Sequence, residues 1–155
     1  MSLNSLQMLP NFKNIFPELP DSSRVWLYLA NRPMDDTELN FANEKLELFL
    51  SSWAAHSKKL HCNGTILFGQ YLILSVNEDL ENASGCSIDS SVRFVKALGQ
   101  ELDIDFFNRM NVLGIESDTT RTQNYFEAAN TKKTFLNPLI ESLGQLRNDW
   151  LLNAQ

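Results

Sequence analysis

The order of hydrophobic periods between residues 24 and 116 constrains the fold of this chain more than any other feature. Apolar residues that alternate or run continuously predict strands, and apolar residues three and four apart predict helices. The resulting order is β-α-β-β-α-β. It favours an α+β fold with a ferredoxin-like split βαβ core, an N-terminal arm and a C-terminal helical extension.

Local signals mark the ends of several predicted elements. Asp35 and Glu38 have the spacing of a capping box, and Gly69-Gln70 suits the turn of a hairpin. Asn137-Pro138 predicts the start of the last helix, with Asn at the cap and Pro at the first helical position. The predicted elements are a strand at Arg24–Ala30, a helix at 36–55, strands at Leu60–Phe68 and Tyr71–Asn77, a helix from about Ser87 to Leu102 and a strand at Asn111–Glu116, while Tyr125–Leu136 is ambiguous.

The chain of 155 residues fits one domain rather than two. Pro10, Pro17 and Pro20 interrupt its beginning, so residues 1–22 are predicted to form an irregular arm. Residues 23–155 are predicted to form a single α+β domain.

Both faces of the predicted sheet are apolar. Trp26 and Tyr28 point away from Val25, Leu27 and Leu29, because successive strand residues face opposite sides. Two helices cover one face, so the second face needs another cover. The C-terminal helix, a second copy of the chain or, less favoured, a ligand could supply it. A homodimer through this face would use Trp26, Tyr28, Tyr71 and Ile73.

Charge and composition exclude several classes of partner. The net charge of −6 repels phosphate backbones, which argues against nucleic acid. There is no signal-peptide pattern and no apolar run long enough to span a bilayer. Two cysteines do not suggest a secreted disulfide scaffold, so a cytoplasmic location is predicted.

The most distinctive segment is Ser84-Gly85-Cys86-Ser87-Ile88-Asp89 at the start of the second predicted helix. Gly85 is expected to allow a tight turn, and Ser87 or Asp89 to cap the helix. Helix N-terminal amides favour an anion, so Cys86 could be a reactive thiolate or the segment could hold a phosphate or carboxylate. The alternative is that Cys86 packs as a small hydrophobic residue. Arg93 lies seven positions after Cys86, whereas thiolate phosphatase loops place arginine at six.

Other candidate groups have simpler explanations. His56, His61, Cys62 and Cys86 lack the paired spacing of zinc sites, so no metal is predicted. Asp89 and Arg93 predict an i,i+4 ion pair, and Arg109 predicts a salt bridge with a carboxylate. The chain has no Gly-rich phosphate loop, so P-loop ATPase activity is not supported and no cofactor is predicted.

The chain resembles a family of short, uncharacterised bacterial proteins that often carry the label "ABC transporter ATPase". The matching segments extend over roughly residues 15–115, and they are Ser23–Tyr28, Phe49–His56, Ser84–Val92 and Asp105–Arg109. The label implies ATP hydrolysis, but the lysine-bearing phosphate loop that this chemistry requires is missing. The resemblance implies a set of residues to test: Trp53, His56, Cys86, Ser87, Asp89 and Arg109.

Two functions follow as expectations. The first is a non-catalytic protein-interaction or dimerisation module, with no catalytic residues. The alternative is a small-molecule or anion-binding protein, which includes a thiol-dependent enzyme, that uses the Ser84–Asp89 segment. The candidate ligand or thiol site comprises Trp53, His56, Ser84, Gly85, Cys86, Ser87, Asp89 and Arg109.

Overall fold

The computed structural model describes residues 10–116, 119–130 and 133–153. These residues form an α+β fold with three antiparallel sheets. A 3-10 helix, Pro10–Asn14, precedes the following elements: β1 Arg24–Leu29, α1 Asp36–Ser52, β2 Ala54–Ala55, β3 Lys58–Lys59, β4 Cys62–Leu67, β5 Tyr71–Val76, α2 Gly85–Leu102, β6 Asn111–Glu116, β7 Thr119–Asn124, α3 Tyr125–Asn130, β8 Thr134–Leu136, α4 Leu143–Asp149 and β9 Leu151–Asn153.

The elements predicted between residues 24 and 116 are present, with small shifts at their ends. The predicted capping box of α1 is confirmed. Glu38 N–H donates to the Asp35 carboxylate at 2.8 Å, and Asp35 N–H donates to the Glu38 carboxylate at 3.0 Å. The helix ends at Ser52 rather than residue 55, because Ala54–Ala55 pairs with Lys58–Lys59 in a small hairpin.

The central sheet has the strand order β1-β5-β4. The ferredoxin-like arrangement is not confirmed, because β6 lies in a separate sheet with the order β7-β6-β8-β9. The outer edge of β1 is bonded elsewhere at one end. Val25 N–H donates to the Glu141 carbonyl at 2.9 Å, and Leu143 N–H donates to the Ser23 carbonyl at 2.8 Å. These bonds occupy edge positions that a fourth strand would need.

Helices α1 and α2 cover one face of the central sheet. Ala42 and Leu46 of α1 and Val95 of α2 pack against Leu72 and Leu74 of β5 in the first core. Neither these helices nor the others within the described residues have the length and apolar character to cross a bilayer.

The opposite face is covered by the N-terminal segment, which is residues 10–23, by α4 and by the second sheet. The buried residues of this second core include Phe12, Phe16, Leu113, Leu143, Leu146 and Trp150. The prediction that four residues of the sheet form one exposed homodimer face is therefore wrong. Trp26 and Tyr28 pack on the helix side, whereas Tyr71 and Ile73 lie on the other.

The last helix starts later than predicted. Asn137 accepts a hydrogen bond from Leu139 N–H at 3.0 Å, so Asn137-Pro138 forms a turn and not a helix start. Ser142 is the true N-cap of α4, and Gln145 completes its capping box. The ambiguous segment 125–136 holds α3 and β8, with residues 131 and 132 outside the described part.

Candidate functional site

Ser84, and not Ser87 or Asp89, caps helix α2. The Ser84 hydroxyl accepts from Ser87 N–H at 3.0 Å, and the Ser87 hydroxyl accepts from Ser84 N–H at 2.6 Å. This capping box satisfies amides that would otherwise lack partners. Ser87 contributes to the box from the third helical position, whereas the predicted cap at Asp89 is wrong. Asp89 is exposed, and the described residues contain no ion pair between Asp89 and Arg93.

Gly85 and Cys86 do not have the structural roles expected of them. Gly85 is the first residue of α2, and its backbone does not adopt the positive φ seen at Gly69. A Cβ at Gly85 would meet nothing within 4 Å, so no tight turn or close approach requires glycine there. Cys86 is exposed, which contradicts packing as a small hydrophobic residue. Its reactivity stays a prediction.

Trp53 connects the end of α1 with the start of α2. Its side chain is 2% exposed, and its Nε1–H donates to the Ser87 carbonyl at 2.8 Å. The end of α1 and the start of α2 therefore lie together. Trp53 is a core residue at this junction, since Phe49 and Trp26 pack against its ring.

His56 and Ser84 share an open depression next to this junction, and residues 78–83 form the rest of its lining. Glu78, Asp79 and Glu81 are among these residues, so the depression is acidic. Glu78 accepts from Ala83 N–H at 2.8 Å, and His56 lies in the β2–β3 turn with a φ of 52°. An anion is disfavoured beside these carboxylates.

Arg109 lies in a different place, a cleft of about 210 Å³ along β1. Its lining includes Trp26–Leu29 of β1 together with Asn108, Arg109 and Asn111. The cleft is not lined by any of the seven other candidate residues. The structure therefore divides the predicted set between the α1–α2 junction and this cleft.

The wall formed by β1 presents an unpaired strand edge. Ala30 N–H donates to the Gln70 carbonyl at 3.0 Å. Because every second residue of an antiparallel strand is hydrogen-bonded to its neighbour, this bond shows which β1 residues are bonded to β5. Trp26 and Tyr28 thus direct their peptide groups towards β5, while Leu27 and Leu29 direct theirs towards the cleft. Within the described residues, the peptide groups of Leu27 and Leu29 have no hydrogen-bond partner, although Leu29 is only 6% exposed.

Two tyrosines also line the cleft. Burial raises the pKa of the Tyr28 phenol, against the lowering effects of the Ser91 hydroxyl and the Arg109 charge. Burial also raises the pKa of Tyr71, which is 1% exposed and hydrogen-bonded to none of the described residues. Both phenols therefore keep their protons at neutral pH and can donate to a bound group.

The predicted salt bridge of Arg109 is wrong. Arg109 is exposed and forms no ion pair with a described residue, and no Asp or Glu of the described chain lines the cleft. Sequence reasoning missed Leu27, Leu29, Asn108 and Asn111 as site residues. The available signal for Leu27 and Leu29 was their position on a strand that could lie at a sheet edge.

No family model matches this chain, and no curated protein or solved structure matches it either. The resemblance to the bacterial "ABC transporter ATPase" proteins therefore stays a prediction. Among residues 10–116, 119–130 and 133–153, no three His, Cys, Asp or Glu side chains form a group that could hold a metal ion.

Proposed function

We propose that the protein is a non-catalytic protein-interaction module that binds an extended segment of a partner at the unpaired edge of β1. The observation that carries this proposal is the outward direction of the Leu27 and Leu29 peptide groups, which have no partner within the described chain. Buried peptide groups require hydrogen bonds, and an added strand supplies them in register.

The residues around the cleft support binding rather than catalysis. Tyr28 and Tyr71 retain their protons, and Asn108 and Asn111 offer amides. These groups donate and accept hydrogen bonds, but none is a nucleophile activated by a neighbouring base. The cleft contains no Cys, His, Asp or Glu of the described residues.

The alternative is a small-molecule or anion-binding site at Ser84–Asp89. It has less support, because the adjoining depression carries Glu78, Asp79 and Glu81 and because Arg109 lies in another cleft. Dimerisation through the second sheet face also has less support, since α4 and the N-terminal segment cover that face. A cytoplasmic protein partner remains preferred over nucleic acid because the net charge is −6.

Hydrogen exchange at single amides would test the proposal. Two pools of random hexapeptides, one with free and one with amidated C-termini, would be screened against the whole chain. We expect a bound peptide to slow exchange of the Leu27 or Leu29 amide. The amides of Trp26 and Tyr28 are the matched control, because they already donate within the sheet.

A second measurement would test the ladder directly. Methylation of alternate peptide nitrogens removes donors from one edge of a strand, so one set of methylated positions should abolish binding and the other set should not. The proposal would be wrong if neither pool yields a binder at millimolar concentration. It would also be wrong if bound peptides protect only amides away from β1, such as those of Ser84–Ser87.

A further inference from the structure

We propose that the β1 cleft takes the carboxyl end of a polypeptide, with the terminal carboxylate bound by Arg109. This inference rests on the proposed function and specifies its ligand. The occupant is the last two or three residues of a partner chain, in extended form.

The free edge of β1 is short and closed at both ends by the chain itself. Val25 N–H donates to the Glu141 carbonyl, and Asn31 N–H donates to the Asp105 carbonyl at 3.0 Å. Between these two bonds, only Leu27 and Leu29 direct their N–H and C=O groups outwards. These two residues are roughly 7 Å apart along the strand. A strand that continued in both directions would meet the Glu141 or Asp105 segment. A chain terminus can stop inside the gap.

The charge of the cleft selects the carboxyl end. Arg109 is an exposed guanidinium without an ion-pair partner among the described residues, and no described carboxylate lines the cleft. A carboxylate accepts two parallel hydrogen bonds from a guanidinium, whereas the ammonium of an amino terminus would be repelled. This local positive charge contrasts with the net charge of −6.

Neutral donors in the cleft lining suit the same group. Tyr71 lines the cleft, and its protonated phenol has no partner in the described chain. Asn111 also belongs to the cleft lining and carries a side-chain amide. A terminal carboxylate has two oxygens that accept several hydrogen bonds, so one guanidinium does not saturate it.

The test compares one selected peptide in three forms. The first has a free C-terminus, the second is amidated, and the third is amidated with aspartate as its last residue. We expect amidation to weaken binding by about tenfold or more, in line with the loss of a charge-assisted hydrogen bond. The aspartate form distinguishes a terminal carboxylate from a side-chain carboxylate, and it should not restore full affinity.

Two protein variants identify the group that recognises the carboxylate. Arg109→Gln should remove the preference for the free C-terminus. Arg93→Gln should keep it, since Arg93 is also exposed but does not line the cleft. Arg109 makes no hydrogen bond within the described chain, so both variants should unfold at the urea concentration of the unchanged protein.

The outcomes separate this inference from the proposed function. Equal binding of acid and amide forms, with protection of the Leu27 and Leu29 amides, would overturn the carboxyl-end inference and leave strand addition intact. An unchanged acid preference in Arg109→Gln would also overturn it. Failure of both peptide pools to bind would overturn both.

Discussion

At the scale of single residues, Arg32 connects the two helices of the first core. Its guanidinium donates to both carboxylate oxygens of Glu38, at 3.0 and 2.7 Å, and to the Leu102 carbonyl at 2.8 Å. One side chain therefore joins the first turn of α1 to the end of α2. The guanidinium holds the pKa of Glu38 well below its ordinary value of 4.5, at about 2.

This pair predicts a pH-dependent stability difference between the protein and Glu38→Gln. A carboxylate whose pKa is lowered by folding stabilises the folded state above its ordinary pKa, and the contribution disappears as pH falls through the folded value. We expect the difference in free energy of unfolding to be constant above about pH 4.5 and to vanish near pH 2. Urea unfolding at several pH values would measure it.

The size of this effect is limited because the Arg32 side chain is 41% exposed and water screens the pair. Glu47→Gln is the control, since it removes a charge from the exposed side of the same helix, where Glu47 has no bonded partner in the described chain. A pH-independent difference for Glu38→Gln would contradict the prediction.

At the scale of elements, the start of α2 predicts opposite effects for two adjacent substitutions. Ser84→Ala removes the capping box and should destabilise the protein by about 1 kcal/mol. Gly85→Ala should be neutral or stabilising by up to about 1 kcal/mol, because the new methyl group meets no atom and the unfolded chain loses freedom. Urea unfolding at neutral pH would measure both.

Asp89→Ala serves as the control for the capping assignment. Asp89 is exposed and lies beyond the first three helical residues, so its removal should change stability little. A loss equal to that of Ser84→Ala would mean that Asp89 contributes as a cap. A clear loss of stability in Gly85→Ala would instead support the tight turn that the sequence predicted at this position.

The elements also show which parts of the fold a sequence can predict. Local periodicity identified α1, α2 and the β4–β5 hairpin, because neighbouring residues determine them. It failed at Asn137-Pro138, where the Asn side chain bonds to Leu139 N–H and competes with helix formation. The partner of β6 was also missed, since pairing with β7 and β8 depends on distant residues.

The candidate site was predictable only in part for the same reason. The contact between Trp53 and Ser87 depends mainly on local structure, because each residue lies at the end of a locally encoded helix. Arg109 lies in the loop between α2 and β6, and its place in the β1 cleft depends on how the 103–110 segment passes the sheet edge. At that edge, Asn31 N–H donates to the Asp105 carbonyl. Hydrophobic periodicity predicts helices and strands, but it gives no information about where a loop crosses a distant strand.

At the scale of the whole molecule, Arg147 fastens the N-terminal segment over the second sheet face. Its guanidinium donates to the carbonyls of Ile15, Phe16 and Leu19, at 2.8 Å, 2.8 Å and 3.0 Å, and pairs with Asp21 at 2.7 Å. Three carbonyls and one carboxylate thus depend on one side chain of α4. Phe12 extends the contact by packing edge-on against Trp150 at 5.3 Å.

Loss of this attachment should release the segment before the rest of the fold. We expect Arg147→Gln to lower the free energy of unfolding by about 2 kcal/mol, because carbonyls lose a charged donor. Trypsin should then cut at the exposed Lys13 faster than in the unchanged protein. Arg93→Gln is the control, since it also removes one tryptic site but no contact of the segment.

If Arg147→Gln does not change the rate of cleavage at Lys13, apolar packing alone holds the N-terminal segment in place. Sedimentation of the same variants would reveal whether uncovering this face causes the chain to associate. Association in Arg147→Gln, but not in Arg93→Gln, is the expected result.

The position of Arg147 after all residues of the first core also imposes an order on folding during synthesis. The residues of the first core are complete once Phe106 has emerged from the ribosome, so that half can form while translation continues. Phe12 and Phe16 are synthesised before the first core but must wait for Arg147 and Trp150, which are synthesised after it. During that interval the apolar face of the nascent sheet is uncovered, and transiently exposed apolar surface of this kind favours association.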